Sequence, residues 1–116
     1  MAATGVDLGI FTETKITDGV YTRFSSGYNV TASNAVSACQ GGIALFWREN
    51  ELYEVEEVAT RGPNVLTFEL VMGQMRYFVV GAYIPPYDLG TTLSHIRQAW
   101  LECPRGCEPL FLGDLN

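Results

Sequence analysis

Lysine is almost missing: Lys15 is the only one, and seven Lys and Arg together face thirteen Asp and Glu, for a net charge of −6. That deficit argues against a broad electrostatic footprint for nucleic acid, because phosphate binding normally shows as an excess of Lys and Arg. Histidine is just as scarce, with His95 alone in the chain. The three cysteines, Cys39, Cys103 and Cys107, leave an odd one however they are paired. With a single histidine and no second Cys pair, no zinc site is expected around Cys103 and Cys107. All three read as reduced thiols of an intracellular protein, nuclear and cytoplasmic being indistinguishable. No apolar run reaches membrane-spanning length, and no secretory signal precedes the body, so no membrane is expected as a partner. The glycosylation spelling Asn29-Val-Thr31 therefore carries no meaning. Repeats, linkers and low-complexity segments are absent.

What is present suits one modest core: 116 residues, 47% of them hydrophobic. Val6 to Phe11 is an apolar, strand-like run ending in Thr12-Glu-Thr-Lys15. Glu13 lies just past that strand, where strand ends deliver functional groups, although taken alone a solvated end with a neighbouring Lys is the favoured reading. Thr17 to Gly27 reads as a loop or one short helix, Tyr28–Thr31 as a strand, and Ala32–Gln40 as an exposed loop. Gly41-Gly-Ile-Ala-Leu-Phe-Trp-Arg48 is a buried strand. Tyr53–Thr60 and Val65–Met72 alternate as half-exposed strands do, and Met72-Gly-Gln-Met75 joins the second to Arg76–Ile84 as a β-hairpin. Pro85-Pro86 ends that strand, leaving Tyr83 either exposed at the mouth of the sheet or packed in the core. Thr91–Glu102 predicts a helix capped by Thr91 or Thr92, with Leu93, Ile96, Trp100 and Leu101 as its apolar stripe. His95 lies beside the stripe and reads as a surface or boundary residue.

The last stretch, Pro109-Leu-Phe-Leu-Gly-Asp-Leu-Asn116, reads as a short buried strand, Leu110–Leu112, running into a glycine. Asp114 and Asn116 are two apart in nearly extended chain, so their side chains leave on one side. An acid and an amide so held form a catalytic pair: the carboxylate takes a proton from water, and the amide donates to a charged oxygen. A turn is the plainer use of the same residues.

Four segments in this order, Thr12-Glu-Thr-Lys15, Gly41-Gly-Ile-Ala-Leu-Phe46, Gly81-Ala-Tyr-Ile-Pro-Pro86 and Leu112-Gly-Asp-Leu-Asn116, resemble the endonuclease/exonuclease/phosphatase superfamily. The texture is closest to the endonuclease domains of non-LTR retrotransposon polyproteins. The resemblance implies an α+β chain: part of a DNase I-like four-layer α/β sandwich, with a mostly antiparallel sheet and a flanking helix. It implies that residues 1–116 are the N-terminal part of one such domain, lacking its first strand and C-terminal half. By resemblance, Glu13 holds Mg²⁺ or Mn²⁺, Asp114 orients or deprotonates the attacking water, and Asn116 bonds the phosphate or Asp114. Tyr83 stabilises the transition state or leaving oxygen, and DNA is the substrate.

Departures accompany the likeness. The family's first-strand asparagine, a further aspartate and a terminal Ser-Asp-His have no counterpart here, and His95 precedes Gly113-Asp114 instead of following it. The expectation is thus a fragment of a Mg²⁺-dependent DNA phosphodiesterase, inactive alone, whose parent polyprotein carries a reverse transcriptase domain. A phosphatase or an RNA or lipid phosphodiesterase of the same superfamily, or a non-catalytic remnant, are the competing readings. A half sandwich is further expected to leave the Leu66/Phe68/Leu70 or Tyr77/Val79 row bare.

Overall fold

The computed structural model describes residues 8–12, 14, 20–23, 28–33, 42–48, 51–84 and 89–114, with backbone alone for 20–23 and 114. The fold is α+β and mostly sheet. Its strands are β1 (Leu8–Thr12), β2 (Val20–Arg23), β3 (Tyr28–Ala32), β4 (Ile43–Arg48), β5 (Glu54–Thr60), β6 (Val65–Met72), β7 (Met75–Tyr83) and β8 (Glu108–Asp114), with helix α1 (Leu89–Leu101) between the last two. They form two four-stranded sheets, ordered β1-β4-β3-β2 and β5-β6-β7-β8. Every pairing is antiparallel except β7 with β8, which the α1 crossover makes parallel. Among the described residues no helix is long and apolar enough to cross a membrane.

The sheets pack face to face. Ile43, Leu45 and Trp47 of β4 meet Leu66 and Phe68 of β6 and Val79 of β7, with Leu8 and Ile10 of β1 closing one side. On the other face of the second sheet, Val65, Phe78, Val80 and Ala82 pack under Ala99 and Ile96 of α1. Each strand of the β6–β7 hairpin therefore serves two cores by strict alternation. The hairpin closes through Gly73-Gln74, between the paired Met72 and Met75, with Gly73 at φ 60°. In β5, Val55 and Val58 both reach the inter-sheet core although a regular pleat would send them to opposite faces. A bulge between Glu56 and Ala59 re-aims them, with Glu57 at φ 53°.

Several expectations are corrected. Residues 20–23 form strand β2 on β3 instead of belonging to a loop or helix. Ala32 and Ser33, expected in an exposed loop, are buried. The rows expected to be bare are covered: Leu66, Phe68 and Val79 are at most 1% exposed, because the first sheet roofs them. The final strand is longer than expected and is an edge among the described residues, with Leu110, Phe111 and Leu112 exposed where burial was expected. Helix α1 begins at Leu89, so neither Thr91 nor Thr92 caps it, and Thr92 is buried in its first turn. It packs through Thr92, Ile96 and Ala99, while Leu93, Trp100 and Leu101 of the supposed packing stripe are exposed. Small residues let the helix sit close to the sheet, and that outweighs hydrophobicity in choosing the face.

Gly81 sets the spacing between the sheets. A Cβ there would lie 2.6 Å from Ile10 Cδ1 and 3.3 Å from Leu66 Cδ1. Gly81→Ala should therefore cost about 1–3 kcal/mol, as overpacking does. Combined with Ile10→Val, which removes the clashing methyl, the loss should be smaller than the sum of the two single losses. Urea unfolding of the four proteins checks this, and strict additivity would contradict the assigned contact.

Candidate functional site

Of the candidate residues, Tyr83 ends β7 and Asp114 ends β8, and a chain of hydrogen bonds through Asn64 joins the end of β7 to Thr14, two residues past β1. The Asn64 carbonyl accepts from the Tyr83 N–H at 3.0 Å, and its Oδ1 accepts from the Gly42 N–H at 3.2 Å. The Gly42 carbonyl in turn accepts from the Thr14 N–H at 3.3 Å. Beside it, Ser33 Oγ donates to the Pro63 carbonyl at 2.7 Å and accepts from the Ile43 N–H at 3.0 Å. Asn64 is 1% exposed, and its Nδ2 is buried with no acceptor among the described residues. A buried amide that spends its oxygen on one sheet and its carbonyl on the other fixes how the two sheets meet at this rim.

Tyr83 ends β7 at the rim and is buried at 5% exposure, so the core-packed alternative holds. Asp114 is its register partner on the neighbouring parallel strand. The side chain of Asp114 is outside what is described, as are Glu13 and Asn116 entirely. Thr12 and Thr14, on either side of Glu13, are at the same rim, Thr12 opposite Ile43 and Thr14 bonded to Gly42. Asn64 is the residue that sequence reasoning missed. Arg61-Gly-Pro-Asn64 reads as a turn, and nothing in its spelling signals a bridge between two sheets.

Two other polar clusters are present, the second of them next to this rim. Arg76 donates to Glu56 and Glu69, each at 2.9 Å, and these hydrogen bonds, Glu69 first, raise its pKa. The Cys107 thiol sits 3.9 Å from Glu69 Oε1, and burial, then the Glu69 charge, push its pKa up. Across the β5–β6 turn, a cleft of about 310 Å³ runs between Thr60, Arg61, Gly62, the α1 residues His95 and Gln98, and Glu102 just past the helix. Arg61 and Glu102 are paired there at 2.8 Å, and a Cβ on Gly62 would collide with the His95 ring. His95 is half-buried at a boundary, as the sequence indicated. Among the described residues no group of three or more His, Cys, Asp or Glu side chains could hold a metal. Set against protein-family models, curated proteins and solved structures, the chain gives no match.

Asn64→Ala strands the buried Gly42 N–H and should cost about 1–3 kcal/mol in urea unfolding. An unchanged midpoint would show that the bridge adds nothing. For Cys107, the pH profile of iodoacetamide alkylation should inflect above that of an unstructured cysteine peptide, since the thiolate forms late. An inflection at or below the peptide's would contradict the burial.

Proposed function

We propose that this chain is part of a Mg²⁺-dependent phosphodiesterase of the endonuclease/exonuclease/phosphatase superfamily, acting on DNA within a retroelement protein. The observation that supports it most is the hydrogen-bond chain Thr14–Gly42–Asn64–Tyr83 together with the Tyr83–Asp114 register. It ties the flanks of Glu13 to two of the other three candidate positions, although they lie far apart in sequence. The helix-on-sheet-on-sheet order is compatible with three layers of a DNase I-like sandwich.

The donor chemistry fits a hard divalent cation. Glu13 offers carboxylate oxygen, the ligand type Mg²⁺ prefers, and with so few protein ligands most of the shell is water. Such an ion supplies charge neutralisation to a phosphodiester, which is already anionic before an anionic nucleophile adds to it. In this reading Asp114 takes the proton of the attacking water and Asn116 holds its carboxylate or a phosphate oxygen by its N–H groups. The Tyr83 phenol donates to oxygen as charge develops. Because Tyr83 is buried, its contribution requires substrate to enter the rim between the ends of β7 and β8.

By resemblance the remaining groups, a further aspartate and the Ser-Asp-His histidine, come from residues outside these 116. Losing one electrostatic donor commonly costs about a hundred- to a thousandfold in rate, so this chain alone should nick DNA at close to background. The test is nicking of supercoiled plasmid with Mg²⁺ by this chain, by a longer natural chain carrying a downstream Ser-Asp-His, and by Asp114→Ala in both. Nicking by the longer chain alone, abolished by Asp114→Ala, is the expected result. Nicking that survives Asp114→Ala would overturn the assignment. RNA and inositol phosphates offered to the longer chain separate DNA from the other superfamily substrates.

A further inference from the structure

The crossover from α1 to β8 holds two thiols that the proposed site does not use. Helix α1 ends at Leu101, and the Cys103 N–H still donates to the Trp100 carbonyl at 3.3 Å. Pro104-Arg-Gly-Cys107 then reverses the chain. The Cys107 N–H donates to the Pro104 carbonyl at 3.2 Å, and Gly106, at φ 87°, fills the third position, where a type II turn needs a left-handed residue. Cys103 and Cys107 thus flank one tight turn. Both are free, half-buried thiols, and both pack against the same cluster of Val65, Phe78, Val80, Ala82 and Ala99.

The Cys103 S–H lies 3.6 Å from the Cys107 carbonyl oxygen and 3.7 Å from that of Pro104, so its sulfur sits over the turn. A carbonyl oxygen is about 3 Å from the Cβ of its own residue, which puts Cys107 Cβ within roughly 7 Å of Cys103 Sγ. The Cys107 thiol lies 3.9 Å from Glu69 Oε1 on β6. Burial, then the Glu69 charge, oppose its ionisation.

We propose that Cys103 and Cys107 form a redox clasp on this crossover, closed to an intramolecular disulfide by a small disulfide of the glutathione type and reopened by a small thiol. Cys103 loses its proton, and its thiolate attacks one sulfur of the small disulfide, whose S–S bond breaks to release one small thiolate. Cys107 then loses its proton and attacks the Cys103 sulfur of the mixed disulfide, releasing the second small thiolate. The pair has given up two protons and two electrons, and the small disulfide has been reduced to two thiols. Cys103 acts first because burial and Glu69 hold Cys107 in the thiol form. Side-chain rotation with a small adjustment of the turn brings the sulfurs to bonding distance. Closing gives up only thiol contacts, which are weak hydrogen bonds. Once closed, the clasp ties the end of α1 to the start of β8, so that helix and strand dock as one piece. It is independent of the proposed activity.

The test equilibrates the 116-residue chain in glutathione buffers of graded ratio, blocks the remaining thiols and digests with trypsin, which cuts after Arg105, between the two cysteines. Oxidation should leave the two tryptic pieces joined until a reductant is added. Closure should be favoured over that in the free peptide Cys-Pro-Arg-Gly-Cys by at least about tenfold in effective concentration, because the folded turn holds the thiols together. Linkage demands the same factor in stability, so urea unfolding should find the oxidised chain more stable by at least about 1.4 kcal/mol. Both readouts use the unaltered chain and depend on no variant folding. Separate pieces carrying only glutathione caps would overturn the proposal, as would a bond from Cys39, which lies outside the described residues, to either thiol. So would closure no better than in the free peptide, or an oxidised chain no more stable than the reduced one, since the fold then does nothing to bring the thiols together.

Discussion

The dry contact between the two sheets is the constraint that every other feature accommodates. Ile43, Leu45 and Trp47 on one side and Leu66, Phe68 and Val79 on the other are buried almost completely. At ~1.5–3 kcal/mol for each fully buried side chain, such a set contributes on the order of 10 kcal/mol, comparable with the whole net stability of a domain. Bringing β1 close enough to take part leaves no room for a side chain at residue 81. Bringing Val58 to the same core as Val55 requires the bulge in β5 and the left-handed Glu57. Asn64 then has a fixed separation to span at the rim.

Much of this was legible wherever side-chain periodicity carried the signal. The apolar run of β4 and the alternating rows of β6 and β7 announced their strands, and Met72-Gly-Gln-Met75 announced the turn. Less legible was that both faces of β6 and β7 are covered, because alternation with Thr67 and Glu69 looks like a sheet with one wet face. Thr67 is in fact buried and Glu69 is tied to Arg76. Helix α1 misled for a related reason. Leu93, Trp100 and Leu101 are exposed, and its close packing uses Thr92 and Ala99, which a hydrophobic stripe does not pick out.

At the site, sequence order and strand ends suggested a shared rim, and the hydrogen bonds through Asn64 link two parts of it, the end of β7 and Thr14 past β1. That link was invisible beforehand because a turn asparagine and a buried bridging asparagine have the same local spelling. The burial of Tyr83 was open for a comparable reason. Pro-Pro fixes where its strand stops, while its exposure depends on how closely the two sheets meet there.

The connectivity of the second sheet has a consequence for the order in which the chain acquires structure. Strands β5, β6 and β7 follow one another through short turns, so their pairing closes small loops and resembles hairpin formation, on a scale of about 1–10 µs. Strand β8 reaches β7 only after the whole α1 crossover, which costs more chain entropy before any contact compensates it. The three-strand meander is therefore the natural nucleus, and α1 with β8 the late-joining, first-leaving unit. The C-terminal end of β8, where Asp114 sits, thus takes its place by the final docking step and is the first to be lost when the molecule partly opens.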